Sequence, residues 1–374
     1  MANVSDYIAW RGDLSFAVRP FNAIDALALC QLAYLNFSDI IPAQCDGCNG
    51  AITLREAARL YAADSTRGTP KEFGILINPL TADLLKAAAE TERFGSILLK
   101  DFVNVIDRRA DKQFAAMTAV LPTGDACVVY RGTDDSIVGW KEDCLLSLPA
   151  PIPSHGAAVD YLSAAAETTV TYGVEKLSIA GHSKGGNLAV YAAGTAAASI
   201  QERIEHVFCF DGPGFSFDIE QRSGFQAIIP KIASFIPQSS IVGVLLSYLP
   251  HYIVIESAET NTFWQHDIFS WQIERDTFVR YQQGRTKESY FAEKTMREWL
   301  SHLNDTERKE FIETLFAVLF GTGAETLSEL TANGLAHSLH ILKELHTVDS
   351  ERRQDLFAVI KAFFGAVYTH FPYP

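Results

Sequence analysis

The sequence predicts an α/β protein with a mostly parallel sheet and helical additions at both ends. Short apolar runs typical of buried strands alternate with helical segments between residues 111 and 285. One of these runs leads through a glycine-rich turn into a helix. The flanking regions, residues 1–110 and 286–374, have mainly helical periodicity. We therefore expect a helical N-terminal cap or subdomain, an α/β core and a helical C-terminal extension.

Composition and charge narrow the classes of partner. Of the 374 residues 48% are hydrophobic and 20% are charged, as in ordinary globular proteins rather than disordered or fibrous ones. The formal net charge of −14 disfavours a nucleic-acid surface and docking on anionic membranes. We expect a small or neutral partner, and the sequence leaves the oligomeric state open.

Targeting and metal-binding signals are weak. The N-terminal residues carry charge and lack the apolar core of a signal peptide. The most apolar later stretches, residues 239–255 and 311–320, are interrupted or too short to span a bilayer. Six scattered cysteines favour a reducing cytoplasm, and Cys45 and Cys48 have zinc-knuckle spacing without a second close pair. We therefore expect a cytoplasmic protein with no transmembrane segment, metal or cofactor.

Hydrophobic periodicity and turn residues give the expected elements. The predicted helices are residues 22–34, 53–63, 82–93, 156–172, 187–193, 287–303, 305–320, 335–346 and 350–368. The predicted strands are residues 114–121, 126–130, 177–180, 207–210, 232–236 and 252–257. The first two strands flank a Pro-Thr-Gly-Asp turn and are expected to form a hairpin. The later strands alternate with helices, which predicts parallel pairing.

A serine lies in the turn between the strand at 177–180 and the following helix. Gly181 and Gly185 stand two residues before and two after Ser183, the spacing Gly-x-Ser-x-Gly. Glycine at both positions keeps side chains from colliding with the strand and the helix. Ser183 would then stand at a helix N-terminus, where free backbone N–H groups can stabilise an oxyanion. We expect Ser183 to be a nucleophile.

Position selects one histidine as the general base. With this motif, an acid follows a later strand and a histidine follows the last strand, all at the carboxyl edge of the sheet. His206 and His251 precede strands, and other histidines precede Ser183 or belong to the C-terminal helices. His266 alone follows the strand at 252–257 by a loop of suitable length. We expect His266 to be the base.

Two backbone N–H groups are candidates for an oxyanion hole. That of Lys184 follows the serine directly, and Thr133 stands at the end of an earlier strand. From spacing alone, Thr133 could equally be part of a plain strand end.

Three segments resemble the class 3 (fungal-type) lipases. They are VVYRGTDDSIVGWKED, SHGAAVDYL and IAGHSKGGNLAVYA, and the resemblance covers residues 126–267. With SDYIAWRGDLSF and QHDIFSWQI added, the whole chain is similar to a bacterial family of uncharacterised lipase-related α/β-hydrolases. The resemblance implies an α/β-hydrolase fold, Ser183 as nucleophile, an oxyanion contribution from Thr133 and His266 as general base. It implies no particular substrate.

The sequence departs from the lipases at two places. Lys184 stands where lipases usually carry an apolar residue, which argues against a greasy acyl pocket at that point. Lipases place their aspartate after the strand that matches residues 232–236, but here Pro-Gln-Ser-Ser follows and contains no carboxylate.

The acid must therefore come from another strand end. The strand at 207–210 ends directly in Asp211, so we expect Asp211 to orient His266. Asp218 in the same loop is the second candidate, and Asp267 is disfavoured as a chain neighbour of the histidine. Asp211 could instead cap the turn at 212–214, and Ser183 and His266 would then form a dyad.

These observations favour a serine esterase or lipase-like acyl hydrolase acting on a small-molecule or lipid ester. An acyltransferase or thioesterase would use the same residues and differ in whether an acceptor outcompetes water. A non-catalytic binding protein that kept the fold is a further alternative.

Overall fold

The computed structural model describes residues 2–44, 50–246, 249 and 251–332. The helices expected at 335–346 and 350–368 and the Cys45/Cys48 pair lie outside the described residues.

The centre of the fold is an eight-stranded sheet whose strands lie in chain order. The first four strands pair antiparallel, and β4 through β8 pair in parallel. This sheet, with helices on both faces, confirms the expected α/β-hydrolase fold. The strands are β1 Ile52–Thr53, β2 Leu98–Asp107, β3 Lys112–Val120, β4 Ala126–Tyr130, β5 Leu177–His182, β6 Ile204–Phe210, β7 Ile232–Pro237 and β8 Ile253–Ile255. A separate two-stranded sheet pairs β9 Ile273–Glu274 with β10 Thr277–Phe278.

The α-helices are α1 Val4–Arg11, α2 Ala23–Leu32, α3 Leu54–Ala63, α4 Pro70–Phe73, α5 Leu80–Glu90, α6 Glu92–Gly95, α7 Ile137–Leu145, α8 Pro153–Thr168, α9 Lys184–Thr195, α10 Ala198–Arg203, α11 Ser223–Ile228, α12 Lys287–Ser301, α13 Asp305–Gly321 and α14 Leu327–Ala332. Short 3₁₀ helices are Thr169–Tyr172, Ile219–Gln221, Ile229–Lys231, Val242–Val244, Trp264–His266 and Ile268–Ser270. No helix of the described residues has both the length and the apolar character needed to cross a membrane.

The long strand β2 was missed by the sequence reasoning, which expected the first hundred residues to be mainly helical. The sequence does not show the apolar pattern of a buried strand, because Lys100 and Asp101 are charged yet buried. Their side chains pair with each other at 2.9 Å, and the Lys100 ammonium also donates to the Thr168 hydroxyl. Asp101 has a φ of 58°, and the pairing with β3 shifts register there. A bulge of this kind interrupts the alternation by which a strand is recognised.

Two other expectations are corrected. His206 does not precede its strand but lies within β6, which begins at Ile204. The single helix expected at 82–93 is two helices, because the Thr91 side chain accepts a hydrogen bond from the Phe94 N–H and begins α6 as an N-cap.

The helices of the first 95 residues pack directly against one face of the sheet. Apolar residues of these helices share a buried core with sheet residues that include Met117, Val129, Ala180 and Phe208. A second core on the opposite face contains residues of α8, α9 and α11. The sheet is thus a middle layer with burial on both faces, as parallel strands require.

The C-terminal helix α13 packs on α7. Phe311, Leu315, Phe316 and Leu319 recur at helical spacing and form a third apolar cluster with Ile137. These apolar residues form the face of α13 that is buried in the protein.

The N-terminal layer is fastened by a buried ion pair. The Arg93 guanidinium donates to both carboxylate oxygens of Asp25, at 2.7 and 2.5 Å, and both side chains are fully buried. The same guanidinium donates to the carbonyls of Leu14 and Arg19, and the Tyr7 hydroxyl donates to Asp25. These contacts join α1, α2 and α6.

Asp25→Ala is expected to lower the free energy of unfolding by about 3–5 kcal/mol, because the Arg93 charge would stay buried without its carboxylate. Urea unfolding followed by circular dichroism measures the change. Glu56→Ala removes the partner of Arg59 in an exposed ion pair and should leave the urea concentration at the unfolding midpoint nearly unchanged. Equal effects of the two substitutions would contradict this prediction.

Candidate active site

Ser183 lies at a strained turn between β5 and α9. Its φ of 58° and ψ of −134° are unfavourable for a residue with a side chain. A Cβ on Gly181 would lie 2.0 Å from the Gly185 oxygen, and one on Gly185 would lie 2.1 Å from the Tyr130 oxygen. The two glycines are therefore required by close backbone contacts. Ser183 itself is half-buried at the carboxyl edge of the sheet.

Asp211 and His266 come together at this edge. Asp211 follows β6, His266 ends a 3₁₀ turn after β8, and Asp211 Oδ2 lies 2.6 Å from His266 Nδ1. The aspartate side chain is 1% exposed and that of the histidine 25%. Because a carboxylate only accepts, Nδ1–H is the donor, and in the neutral ring Nε2 is an unprotonated acceptor. This is the tautomer that a general base requires.

The segment after β7 supports Asp211 instead of supplying the carboxylate itself. Asp211 Oδ1 accepts from the Ser240 hydroxyl at 2.5 Å and from the Gly243 N–H at 3.1 Å. The Asp211 backbone has a φ of 47°, and its N–H donates to the Phe235 oxygen at 2.8 Å. Among the described residues, this carboxylate has no hydrogen bond to the turn at 212–214, which it was alternatively expected to cap.

The other two aspartates considered from the sequence are engaged elsewhere. Asp218 accepts from the Glu220 N–H and from the Gln221 amide, at the start of a 3₁₀ helix. Asp267 accepts from the Asn78 amide at 2.6 Å and from the Phe269 N–H at 3.0 Å. Within the described residues, neither carboxylate forms a hydrogen bond with His266.

The segment after β4 runs alongside Ser183. A Cβ on Gly132 would lie 2.9 Å from Ser183 Cβ, so only glycine fits there. In the next residue, the Thr133 hydroxyl donates to Asp143 Oδ2 at 2.6 Å, while its backbone N–H meets no acceptor among the described residues. The Lys184 N–H, at the first position of α9, likewise has no acceptor within its helix. Two N–H donors are thus available beside the serine.

The Lys184 side chain is buried in a polar network of its own. Its ammonium donates to Glu142 Oε2 at 2.7 Å and to the backbone and side-chain oxygens of Gln113 at 2.8 and 2.7 Å. Lys184 is 1% exposed, and Glu142 also accepts from the N–H and hydroxyl of Ser154. The Lys184 charge is therefore paired and closed off from solvent.

A family model described as Mbeg1-like matches residues 88–317, which include Ser183, Asp211 and His266. The protein belongs to the Mbeg1-like family.

Solved structures similar to this Mbeg1-like protein include three lipases. M37 lipase is 14% identical, with a TM-score of 0.37, over 60% of this chain and 70% of that one. The Rhizomucor miehei lipase propeptide complex is 17% identical, with a TM-score of 0.30, over 42% and 52%. The extracellular lipase LipA from Serratia marcescens is 16% identical, with a TM-score of 0.31, over 58% and 39%. No curated protein matches the chain.

Two further residues at this edge were not anticipated. His182 Nε2 lies 3.0 Å from the backbone oxygen of His266, and His182 Nδ1 lies 3.0 Å from the Tyr34 hydroxyl oxygen. The order of residues in the chain argues against His182 as the base, because it precedes the serine. Its position next to Ser183 was the one available signal, whereas nothing in the sequence connects Tyr34 to the site.

Asp143 is a buried carboxyl next to the candidate oxyanion hole. Burial raises its pKa from 3.8 to about 6, although the Lys184 charge and the Thr133 hydroxyl act in the opposite direction. Its Oδ1 has no hydrogen-bond partner among the described residues. The charged form of Asp143 is therefore poorly compensated.

Asp143→Asn is expected to stabilise the protein at pH 8 by about 1–3 kcal/mol, because the amide avoids the buried charge. The folded pKa of Asp143 exceeds its unfolded value, so this carboxyl stabilises the fold at low pH and loses that effect as pH rises through about 6. The advantage of asparagine should therefore shrink towards pH 4. Thermal unfolding of both proteins between pH 4 and 8 measures the difference, and a pH-independent difference would contradict the prediction.

Proposed function

We propose that this Mbeg1-like protein is a serine hydrolase of carboxylic esters, with Ser183 as nucleophile, His266 as general base and Asp211 as the residue that orients the base. The observation that carries the proposal is the 2.6 Å contact between Asp211 and His266 beside the strained serine turn. Asp211 and His266 follow different strands, so their contact is not a consequence of chain proximity. The motif resemblance to lipases supports the same chemistry.

The reaction would proceed in two steps. His266 Nε2 takes the proton from the Ser183 hydroxyl as its oxygen attacks the ester carbonyl, and the same proton then passes to the departing alcohol. Water, deprotonated by His266, attacks the acyl-enzyme, and the proton passes from His266 to the Ser183 oxygen as the bond to the acyl group breaks and the carboxylic acid is released. The backbone N–H groups of Lys184 and Thr133 would hold the oxyanion in each step.

The surroundings of Asp211 suit its proposed role. His266 becomes positively charged during each step, and a nearly fully buried carboxylate at 2.6 Å stabilises that charge more strongly than an exposed one would. The Ser240 hydroxyl and the Gly243 N–H satisfy the other carboxylate oxygen. Asp211 is therefore held in one orientation before substrate arrives.

We further propose that the substrate is a small-molecule or lipid ester and that the protein acts in the cytoplasm. The four cysteines that the structure describes are free thiols, which suits a reducing compartment. The reaction requires no cofactor.

Ser183→Ala is expected to abolish labelling by a fluorophosphonate probe and hydrolysis of p-nitrophenyl esters, because the attacking oxygen is lost. His266→Ala should lower kcat about as severely, on the order of 10⁶-fold as in another serine hydrolase, and the double variant should be scarcely worse. Labelling followed on gels and spectrophotometric rates are the measurements. Wild-type protein that never labels, or labelling that persists in Ser183→Ala, would refute the proposed function.

Asp211→Asn is expected to retain the fold and lower kcat by up to about 10⁴-fold, because an amide favours the wrong imidazole tautomer. Steady-state kinetics and circular dichroism test the two parts of this expectation. Asp218→Asn is the control, since that carboxylate caps a turn in the same loop. A near-normal rate in Asp211→Asn, with damage in Asp218→Asn, would move the acid to Asp218.

A further inference from the structure

His182 lies between the nucleophile's strand and the loop that carries His266. It is 6% exposed, and its Nε2 lies 3.0 Å from the His266 backbone oxygen. The two imidazole rings are 4.4 Å apart between centroids and inclined by 30°, and the Trp271 ring contacts His182 edge-on at 5.9 Å. His182 thus contacts His266 through both its ring face and one nitrogen.

The directions of the two hydrogen bonds of His182 follow from chemistry. A carbonyl oxygen only accepts, so Nε2 carries the proton that is donated to His266. Burial, with His266 next to it, holds the pKa of His182 well below its usual range, so the ring is neutral and Nδ1 is an acceptor. Tyr34 must then be the donor to Nδ1, and burial raises the pKa of its hydroxyl, which keeps it protonated. The Tyr34 hydroxyl therefore supports the tautomer in which His182 Nε2–H donates to the His266 oxygen.

His266 is consequently anchored at two points. Asp211 holds the imidazole through Nδ1, and His182 holds the backbone through the carbonyl oxygen. Because His182 directly precedes Ser183, the second anchor ties the base to the strand end that carries the nucleophile. A general base must stay within about 2.6–3.2 Å of the hydroxyl it deprotonates, and a displacement of about 1 Å can cost roughly 100-fold in rate.

Tyr34 brings the N-terminal layer into this arrangement. It follows α2, is 8% exposed, and packs its ring against His182 with centroids 6.0 Å apart. A Cβ on Gly132 would lie 2.2 Å from the Tyr34 hydroxyl oxygen and 2.9 Å from Ser183 Cβ, so these two atoms flank the same point. The Tyr34 hydroxyl therefore lies beside both Ser183 and residues 132–133, which carry one of the two candidate oxyanion donors.

We propose that Tyr34 and His182 form a positioning pair for the base: the Tyr34 hydroxyl supports the His182 tautomer that donates to His266, and His182 holds the His266 carbonyl at the correct distance from Ser183. This inference rests on the proposed function. Neither residue exchanges a proton with substrate, so both act on the reaction only through His266.

The experiment compares four variants in hydrolysis of p-nitrophenyl butyrate. Tyr34→Phe and His182→Ala are expected to lower kcat by about 10- to 100-fold with KM changed less than about twofold, because they displace the base and leave substrate binding intact. His182→Gln should recover most of the rate lost in His182→Ala, since its amide can donate to the His266 oxygen. Tyr61→Phe is the matched control, because it removes a buried phenol hydroxyl that donates to Glu72 in the same layer. It should keep the wild-type rate.

A double variant separates positioning from general packing. In glutamine the donor is always the amide NH₂ group, so donation to the His266 oxygen does not depend on a tautomer that Tyr34 supports. Adding Tyr34→Phe to His182→Gln should therefore cost less than about threefold, although Tyr34→Phe alone costs more. The proposal would be overturned if the losses in kcat from Tyr34→Phe and His182→Gln were additive in the double variant. It would also be overturned if the variants changed KM more than kcat, or if Tyr61→Phe lowered kcat as much as Tyr34→Phe. If His182→Ala fails to fold, the proposal is still decided by Tyr34→Phe, by His182→Gln and by the variant that combines these two changes.

A readout independent of turnover distinguishes this proposal from the proposed function. Imidazole ¹⁵N spectra should show Nε2–H on His182 and Nδ1–H on His266 in the wild type. In Tyr34→Phe, the His182 signals should move towards a mixture of tautomers, and those of His266 should broaden. If the wild type fails to react with a fluorophosphonate, the proposed function is wrong, and these spectra still test the pair. Unchanged spectra in Tyr34→Phe would overturn it.

Discussion

The strained backbone at Ser183 is the constraint on which the other features of the site depend. A positive φ at a residue with a side chain is unfavourable, so the surroundings must hold it in place. They do so through close backbone approaches: Gly181 against Gly185, and Gly185 against the end of β4. The Ser183 N–H donates to the Phe210 oxygen at the end of β6. Three neighbouring strands thereby converge on one residue, and this convergence brings Asp211 and the segment after β4 close to it.

Helix α7 connects this convergence to the C-terminal helices. Its Ile137 packs in the apolar cluster of α13, and its Lys141 ammonium pairs with Glu313 at 2.7 Å. Two later residues of the same helix, Glu142 and Asp143, contact Lys184 and Thr133. Helix α7 therefore contacts α13 through some of its residues and contacts Thr133, a candidate oxyanion donor, through another.

The parts of the fold that follow local patterns were predictable from the sequence. Apolar runs that alternate with helices gave the parallel strands, and the Gly-x-Ser-x-Gly spacing gave the turn at Ser183. Asp211 directly follows a predicted strand, which makes it a candidate acid, and its carboxylate lies 2.6 Å from His266 Nδ1. Strand β2 was hidden because the buried Lys100 and Asp101 satisfy each other, which no local pattern reveals. Other contacts, such as that of Tyr34 with His182, join residues far apart in the chain, so only the folded packing discloses them.

The Ser240 hydroxyl donates to Asp211, so the segment after β7 has to supply hydrogen-bond donors rather than a carboxylate. A strand end that carries a carboxylate must place a charge within hydrogen-bonding distance of an imidazole, which restricts its path. Here the segment contributes one hydroxyl and one backbone N–H to a carboxylate already held at the end of β6. Serine and threonine both supply a hydroxyl, but the N–H must come from glycine, because a Cβ at position 243 would lie 2.4 Å from Asp211 Oδ1. The segment is therefore constrained at two positions, a hydroxyl at 240 and a glycine at 243, and the positions between them are the ones at which the rim of the site could be redesigned while the Asp211–His266 contact is kept.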